Sequence, residues 1–138
     1  AIRSLSRASK ISRDELPGES QPADRHIALL TFRGALFFGL GDRVLSAAGD
    51  TRDIDVVFLR LSQLRMLDSS GGHVLAELVT VLEKQGIVVF VKGLPEEFER
   101  VARQAGLLDS NETHVVSELE TAVQRGREIV QSRRVSKI

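Results

Sequence analysis

An α/β fold follows from three features of the 138-residue chain. Strand-like apolar runs alternate with amphipathic helical stretches, several of the runs are apolar on both faces as central parallel strands are, and glycine or proline marks the joints. Such alternation requires helical crossovers, right-handed in hand, between parallel strands. A roughly four-stranded, mostly parallel sheet with about four helices is therefore expected.

The first strand falls on His26-Ile27-Ala28-Leu29-Leu30-Thr31-Phe32. Gly34-Ala35-Leu36-Phe37-Phe38-Gly39-Leu40-Gly41 follows, with three glycines in eight residues and two adjacent phenylalanines. A short helix from about Asp42 to Ala48, apolar at Val44, Leu45 and Ala48, leads into a loop at Asp50-Thr51-Arg52-Asp53. Ile54 to Leu61, with Val56, Val57, Phe58 and Leu59, has the near-continuous apolar character of a central strand. After the polar loop Leu67-Asp68-Ser69-Ser70-Gly71-Gly72, a helix from about Ser70 to Gln85 carries Leu75, Leu78, Val79 and Leu82 at helical spacing and closes at Gly86. Ile87-Val88-Val89-Phe90-Val91 is the third strand.

Pro95 opens a further helix from the first-turn position that proline tolerates. Its buried stripe is Phe98, Val101, Ala102 and Ala105, and Gly106 ends it. His114-Val115-Val116 is the last strand. Ser117 to Glu120 reads as a Ser-x-x-Glu capping box that opens a C-terminal helix, with Leu119, Val123 and Ile129 inward. Arg125, Arg127, Arg133, Arg134 and Lys137 suit the negative end of that helix.

Composition narrows the function. Apolar residues make up 42% and charged residues 28%, enough to bury a core. Nineteen basic residues balance nineteen acidic ones, which argues against a nucleic-acid partner. Cysteine is absent, so thiolate chemistry and disulfides are too. His26, His73 and His114 show no metal-ligand spacing. No apolar run approaches the ~20 residues of a membrane span.

Residues 1–24 differ from the rest. Arg3, Arg7, Lys10 and Arg13 alternate with serine, and Asp14, Glu15, Pro17, Gly18, Glu19 and Pro22 follow. This is a basic and polar linker in front of a domain over 25–130, with a basic tail at 131–138. The chain opens on Ala1 rather than Met, so a longer parent is expected. The basic positions suit either a solvated helix face or anionic lipid headgroups.

The Asp68-Ser69-Ser70-Gly71 loop concentrates the chemistry. It sets hydroxyls and free N–H groups at a helix N-terminus, a place suited to an anion or phosphate. In the plainer reading Asp68 or a serine caps the helix, contributing about 1 kcal/mol, and Gly71 lets the backbone turn. Phe37 and Phe38 divide between core and sheet edge, or else form an exposed apolar contact. Gly72 and His73 extend the loop as partner-contact positions. His73 has no orienting group beside it, and no catalytic residue is expected. Gly39-Leu40-Gly41 lacks the third glycine of a dinucleotide site and the lysine of a P-loop.

These residues resemble the STAS domain, found in anti-sigma-factor antagonists and at the cytosolic C-terminus of SulP anion transporters. The resemblance rests on the strand Val56-Val57-Phe58-Leu59, the loop Asp68-Ser69-Ser70-Gly71, the Gly-led strand Gly86-Ile87-Val88-Val89-Phe90-Val91 and the helix end Ala105-Gly106-Leu107. It covers about Arg25 to Ile129. Gly34-Ala35-Leu36-Phe37-Phe38-Gly39 is similar to the Gly-x-Leu-Phe-Phe-Gly segment of the transporter branch, and the acidic turn of free-standing antagonists is missing.

The resemblance implies a non-enzymatic regulatory module at the cytoplasmic face of the membrane, linked to the transport of sulfate or a related small anion. Its implied partners are the membrane transport domain of the same polypeptide, a second copy of the domain, and a cytosolic regulatory protein. Weak nucleotide binding is associated with some family members, but no cofactor motif is present here. The alternative is a free-standing anti-sigma-factor antagonist regulated by phosphorylation at Ser69.

Overall fold

The computed structural model describes residues 9–36, 51–107 and 113–135. Five strands form one sheet: β1 (Ser9–Asp14), β2 (Ile27–Leu36), β3 (Val56–Leu67), β4 (Val88–Lys92) and β5 (Thr113–Val116), in the order β1-β2-β3-β4-β5. β1 runs antiparallel to β2, and the other pairs are parallel. Helix α1 (Ser69–Lys84) crosses from β3 to β4, α2 (Glu99–Gln104) from β4 towards β5, and α3 (Leu119–Val135) closes the fold. The helix expected over 42–48, together with Phe37, Phe38 and Gly39-Leu40-Gly41, lies outside the described residues.

The sheet has one strand more than the four expected, and the extra one comes from the segment read as a linker. β1 is mostly polar because it is an edge strand held by backbone pairing to β2. Only Ile11 packs on the core. On the other face the Ser12 hydroxyl donates to Asp14 Oδ1 at 2.9 Å and accepts from Arg33 Nη1 at 2.6 Å. Arg33 also reaches Asp14 Oδ2 at 3.3 Å and, across β2, Gln63 Oε1 at 2.9 Å. One side chain thereby ties three strands together.

β2 and β3 both outrun their expected ends. Their pairing slips between Thr31 and Arg33 and again between Gly34 and Ala35. At each slip the extra residue lies on β3, and Gly34, beside the second slip on β2, adopts φ +82°, a left-handed conformation that glycine tolerates. Past the slips, Leu61, Leu64 and Leu67 are buried while Ser62, Gln63, Arg65 and Met66 are exposed. That three-residue spacing hides the strand from a period-two reading.

The sheet separates two apolar layers. Leu30, Phe32, Val57, Leu59, Val89 and Val91 meet Leu75, Leu78 and Leu82 of α1 and Ala102 of α2. Ile27, Leu29, Val56, Phe58 and Phe90 meet Leu119, Ala122, Val123 and Val130 of α3. Phe58 and Phe90 stack with centroids 4.9 Å apart and planes 17° from parallel. α3 can lie close on them because Gly126 has no side chain: a Cβ there would sit 3.0 Å from Phe58 Cζ.

Three local expectations are corrected. The helix from Pro95 opens as a 3-10 turn, Glu96–Phe98, and becomes α-helical only at Glu99. α3 starts at Leu119, so Ser117 stands outside the cap; the Ala122 N–H donates to the Glu118 carbonyl at 3.2 Å. Leu119 enters the core as the first helical residue, which fixes that start. The segment from 131 is helical through Val135 rather than a tail. Arg133 Nη1 donates to the Gly86 carbonyl at 2.7 Å, and Arg134 Nε to Asp55 Oδ2 at 3.0 Å. These arginines fasten α3 to the N-terminal ends of β3 and β4.

Arg127 is buried in the middle of α3, although the sequence places it with the solvated terminal arginines. Its Nε donates to Asp24 Oδ1 at 2.7 Å, while Nη2 donates to Asp24 Oδ2 at 3.0 Å and to the Glu19 carbonyl at 3.3 Å. The two-pronged geometry lets a guanidinium lose its water without losing its partners. The hydrogen bond from Arg127 holds the Asp24 carboxyl below the ordinary carboxylate range against the opposing effect of burial.

Candidate functional site

The Asp68–Gly72 segment sits where β3 ends and α1 begins, at the carboxyl end of a central parallel strand. Asp68 is the cap. Its backbone is extended (φ −93°, ψ 177°), its Oδ1 accepts the Gly71 N–H at 2.7 Å, and its carbonyl accepts the Gly72 N–H at 2.9 Å. Ser69 and Ser70 are thus the first two helical residues, and their N–H groups have no acceptor within the helix.

Burial divides this segment. Ser69 and His73 are exposed, Asp68 and Ser70 half-buried, and Gly71 and Gly72 buried. Gly72 is occupied inside the fold: a Cβ there would lie 3.2 Å from Ala105 Cβ and 3.3 Å from Val101 Cγ1. It is the point where α1 and the end of α2 approach, so its packing partners belong to this chain. His73 lies four residues after Ser69 and shares its helix face.

Met66, absent from the sequence-based site, is 48% exposed two residues before the cap. Arg65, its neighbour in β3, is exposed as well. The failure of strict alternation after Leu61 was the available signal, since it leaves a large apolar side chain on the solvent side of a strand.

Chemically, the site offers a hydroxyl, unsatisfied N–H groups and the positive end of a 16-residue helix. No group of three or more His, Cys, Asp or Glu suited to a metal ion occurs among the described residues. No described helix is long and apolar enough to cross a membrane. A cavity of about 670 Å³ lined by Thr51, Arg52, Asp55, Gln85 and Gly86 lies at the other end of α1, about 24 Å from the cap by helix rise. It is a separate feature from the loop.

Residues 20–122 match the STAS domain family. No curated protein sequence matches the chain significantly. Among solved structures, the murine Slc26a9 anion transporter in its inward-facing state superposes with a TM-score of 0.70 and 15% identity, covering 92% of this chain and 24% of the transporter. The chain therefore spans about a quarter of that protein. A sulfate transporter family protein from Wolinella succinogenes superposes with a TM-score of 0.66 and 20% identity, over 83% of this chain and 93% of that one. The unphosphorylated anti-sigma factor antagonist SpoIIAA gives 0.62 and 16%, over 88% and 98%. At these identities the structures share the fold with this chain. The chain belongs to the STAS domain family.

Proposed function

We infer that this chain is the cytosolic regulatory module of a SulP-type secondary anion transporter. It acts by docking the face around Asp68–Gly72 onto the membrane domain of the same polypeptide or onto a cytosolic partner. One observation carries this reading: Asp68 is consumed as the helix cap, whereas Ser69 directly after it and Met66 two residues before it stay exposed. An apolar contact beside a hydroxyl and free N–H groups is a recognition surface, and it requires no acid–base machinery. STAS domains are generally regulatory rather than catalytic.

The Gly34-Ala35-Leu36-Phe37-Phe38-Gly39 segment supports the transporter branch, as does the likeness to a part of Slc26a9 across 92% of this chain. Transport of sulfate or a related small anion would belong to the membrane portion of the parent. Exposure of Ser69 favours a second reading, a free-standing antagonist switched by phosphorylation there. A phosphoryl group adds about −1.5 to −2 charges, which would sit beside Asp68 and repel a docked acidic partner.

Immunoblotting of fractionated native cells with an antibody against this domain separates the two. A band well above 15.2 kDa in the membrane pellet is expected. A band near 15.2 kDa in the soluble fraction would overturn the transporter reading and direct attention to the mass of Ser69-containing peptides.

A further inference from the structure

The segment between β1 and β2 is bound to the last helix by two independent means. Leu16 and Ala23 pack into the apolar layer under α3. Arg127 reaches from α3 to the Asp24 carboxylate with both prongs and to the Glu19 carbonyl with the second, across 103 and 108 residues of sequence. Its side chain is only 9% exposed and that of Asp24 16%. Among the described residues before Arg25, the other layer, between the sheet and α1, receives only Ile11.

A guanidinium buried to this degree is stable only while its acceptors stay in place. Withdrawing Glu19 and Asp24 would strand the charge inside α3, and lifting α3 would strand the carboxylate. Neither element can leave alone without leaving a buried charge unpaired. The α1 side of the sheet shares none of these contacts.

We propose that Arg127 is a strap that joins β1 and residues 15–26 to α3 as one cooperative unit, which opens and closes separately from the α1 half carrying Ser69. Displacement of residues 15–26 is then delivered first to α3, on the face of the sheet opposite α1. This inference concerns the chain's internal mechanics and stands independently of the transporter reading.

Native-state hydrogen exchange on the 138-residue chain tests it, comparing the wild type with Arg127→Gln and with the milder Asp24→Asn. Loss of a charge-assisted hydrogen bond is worth about tenfold or more in an opening equilibrium. Arg127→Gln is expected to speed exchange by such a factor both in β1 with residues 19–26 and in the middle turns of α3. Amides of β3, β4 and α1 should keep their rates.

Asp24→Asn should give the same pattern with a smaller factor, and the double variant should add little to Arg127→Gln alone. A uniform rise over all elements would overturn the proposal, since the pair would then only contribute to global stability. Faster exchange in residues 19–26 with α3 unchanged would overturn it too, because the two would not be coupled. Unchanged rates everywhere would do the same.

Discussion

Asp68→Ala removes the side chain that organises the first turn of α1, and its cost can be worked from the geometry. The lost contact is one short hydrogen bond, 2.7 Å from the Gly71 N–H to Asp68 Oδ1. Removal of an N-cap costs about 1 kcal/mol on average, between about 0.5 and 2. Gly71 is buried, so its N–H gains no water in exchange, and the penalty for an orphaned donor raises the figure towards about 2 kcal/mol. For a chain of 138 residues, an unfolding entropy of about 2.1 cal/mol/K per residue converts that to a fall in Tm of about 5–7 °C. Thermal and urea unfolding followed by circular dichroism would read it, with Asp68→Asn and Asp68→Ser as controls that keep an acceptor. Both controls should stay within about 0.5 kcal/mol of the wild type, as interchangeable caps do. If Asp68→Asn destabilises as much as Asp68→Ala, the carboxylate acts through its charge, and the capping argument fails.

Other consequences are equally direct. Gly72→Val places branched carbon where even a Cβ lies 3.2 Å from Ala105, so a loss of about 1–3 kcal/mol in urea unfolding is expected from overpacking. Phe58→Ala deletes a fully buried ring stacked on Phe90 and should cost about 3–5 kcal/mol by the same measurement. Acid unfolding should expose the Asp24–Arg127 pair. The folded Asp24 carboxyl is held below its ordinary value of 3.8, so its contribution is present above that value and is lost as pH falls through the depressed one. The stability gap between wild type and Asp24→Asn should therefore be flat from about pH 5 to 7 and close below about pH 4. A gap that instead widened on acidification would refute this sign.

Wherever burial repeats with a clean period, the elements were legible in the residues themselves. Val56 to Leu59 and Val88 to Val91 declare central strands, and Leu75, Leu78, Val79 and Leu82 declare the inner face of α1. Asp68 could be recognised as a capping residue because it precedes the first turn of a periodic helix. β1 could not be recognised in this way. Ser9 to Asp14 holds its place through backbone pairing and through Arg33, which lies 21 positions beyond Ser12, and long-range pairing leaves no local signature. The outer half of β3 was obscured by two register slips against β2, at each of which β3 carries one extra residue, and these turn a period of two into one of three. That shift also concealed Met66. Arg127 escaped notice for a different reason: a buried arginine is indistinguishable from a surface one until its carboxylate is found, and Asp24 lies 103 residues away.

Spatial order in the sheet equals order along the chain, so each strand meets its neighbour as synthesis proceeds. The α1 layer can assemble on the ribosome once α2 and Leu107 are made. The opposite face has to wait. Ile27, Leu29, Val56, Phe58 and Phe90 remain bare until Leu119 to Val130 emerge, because α3 is their principal cover and comes last. A nascent chain halted before Leu119 would present that face as one apolar plane, the kind of surface that chaperones hold and that aggregates when they do not. Premature termination just upstream of α3 should therefore yield insoluble product rather than a shorter folded domain.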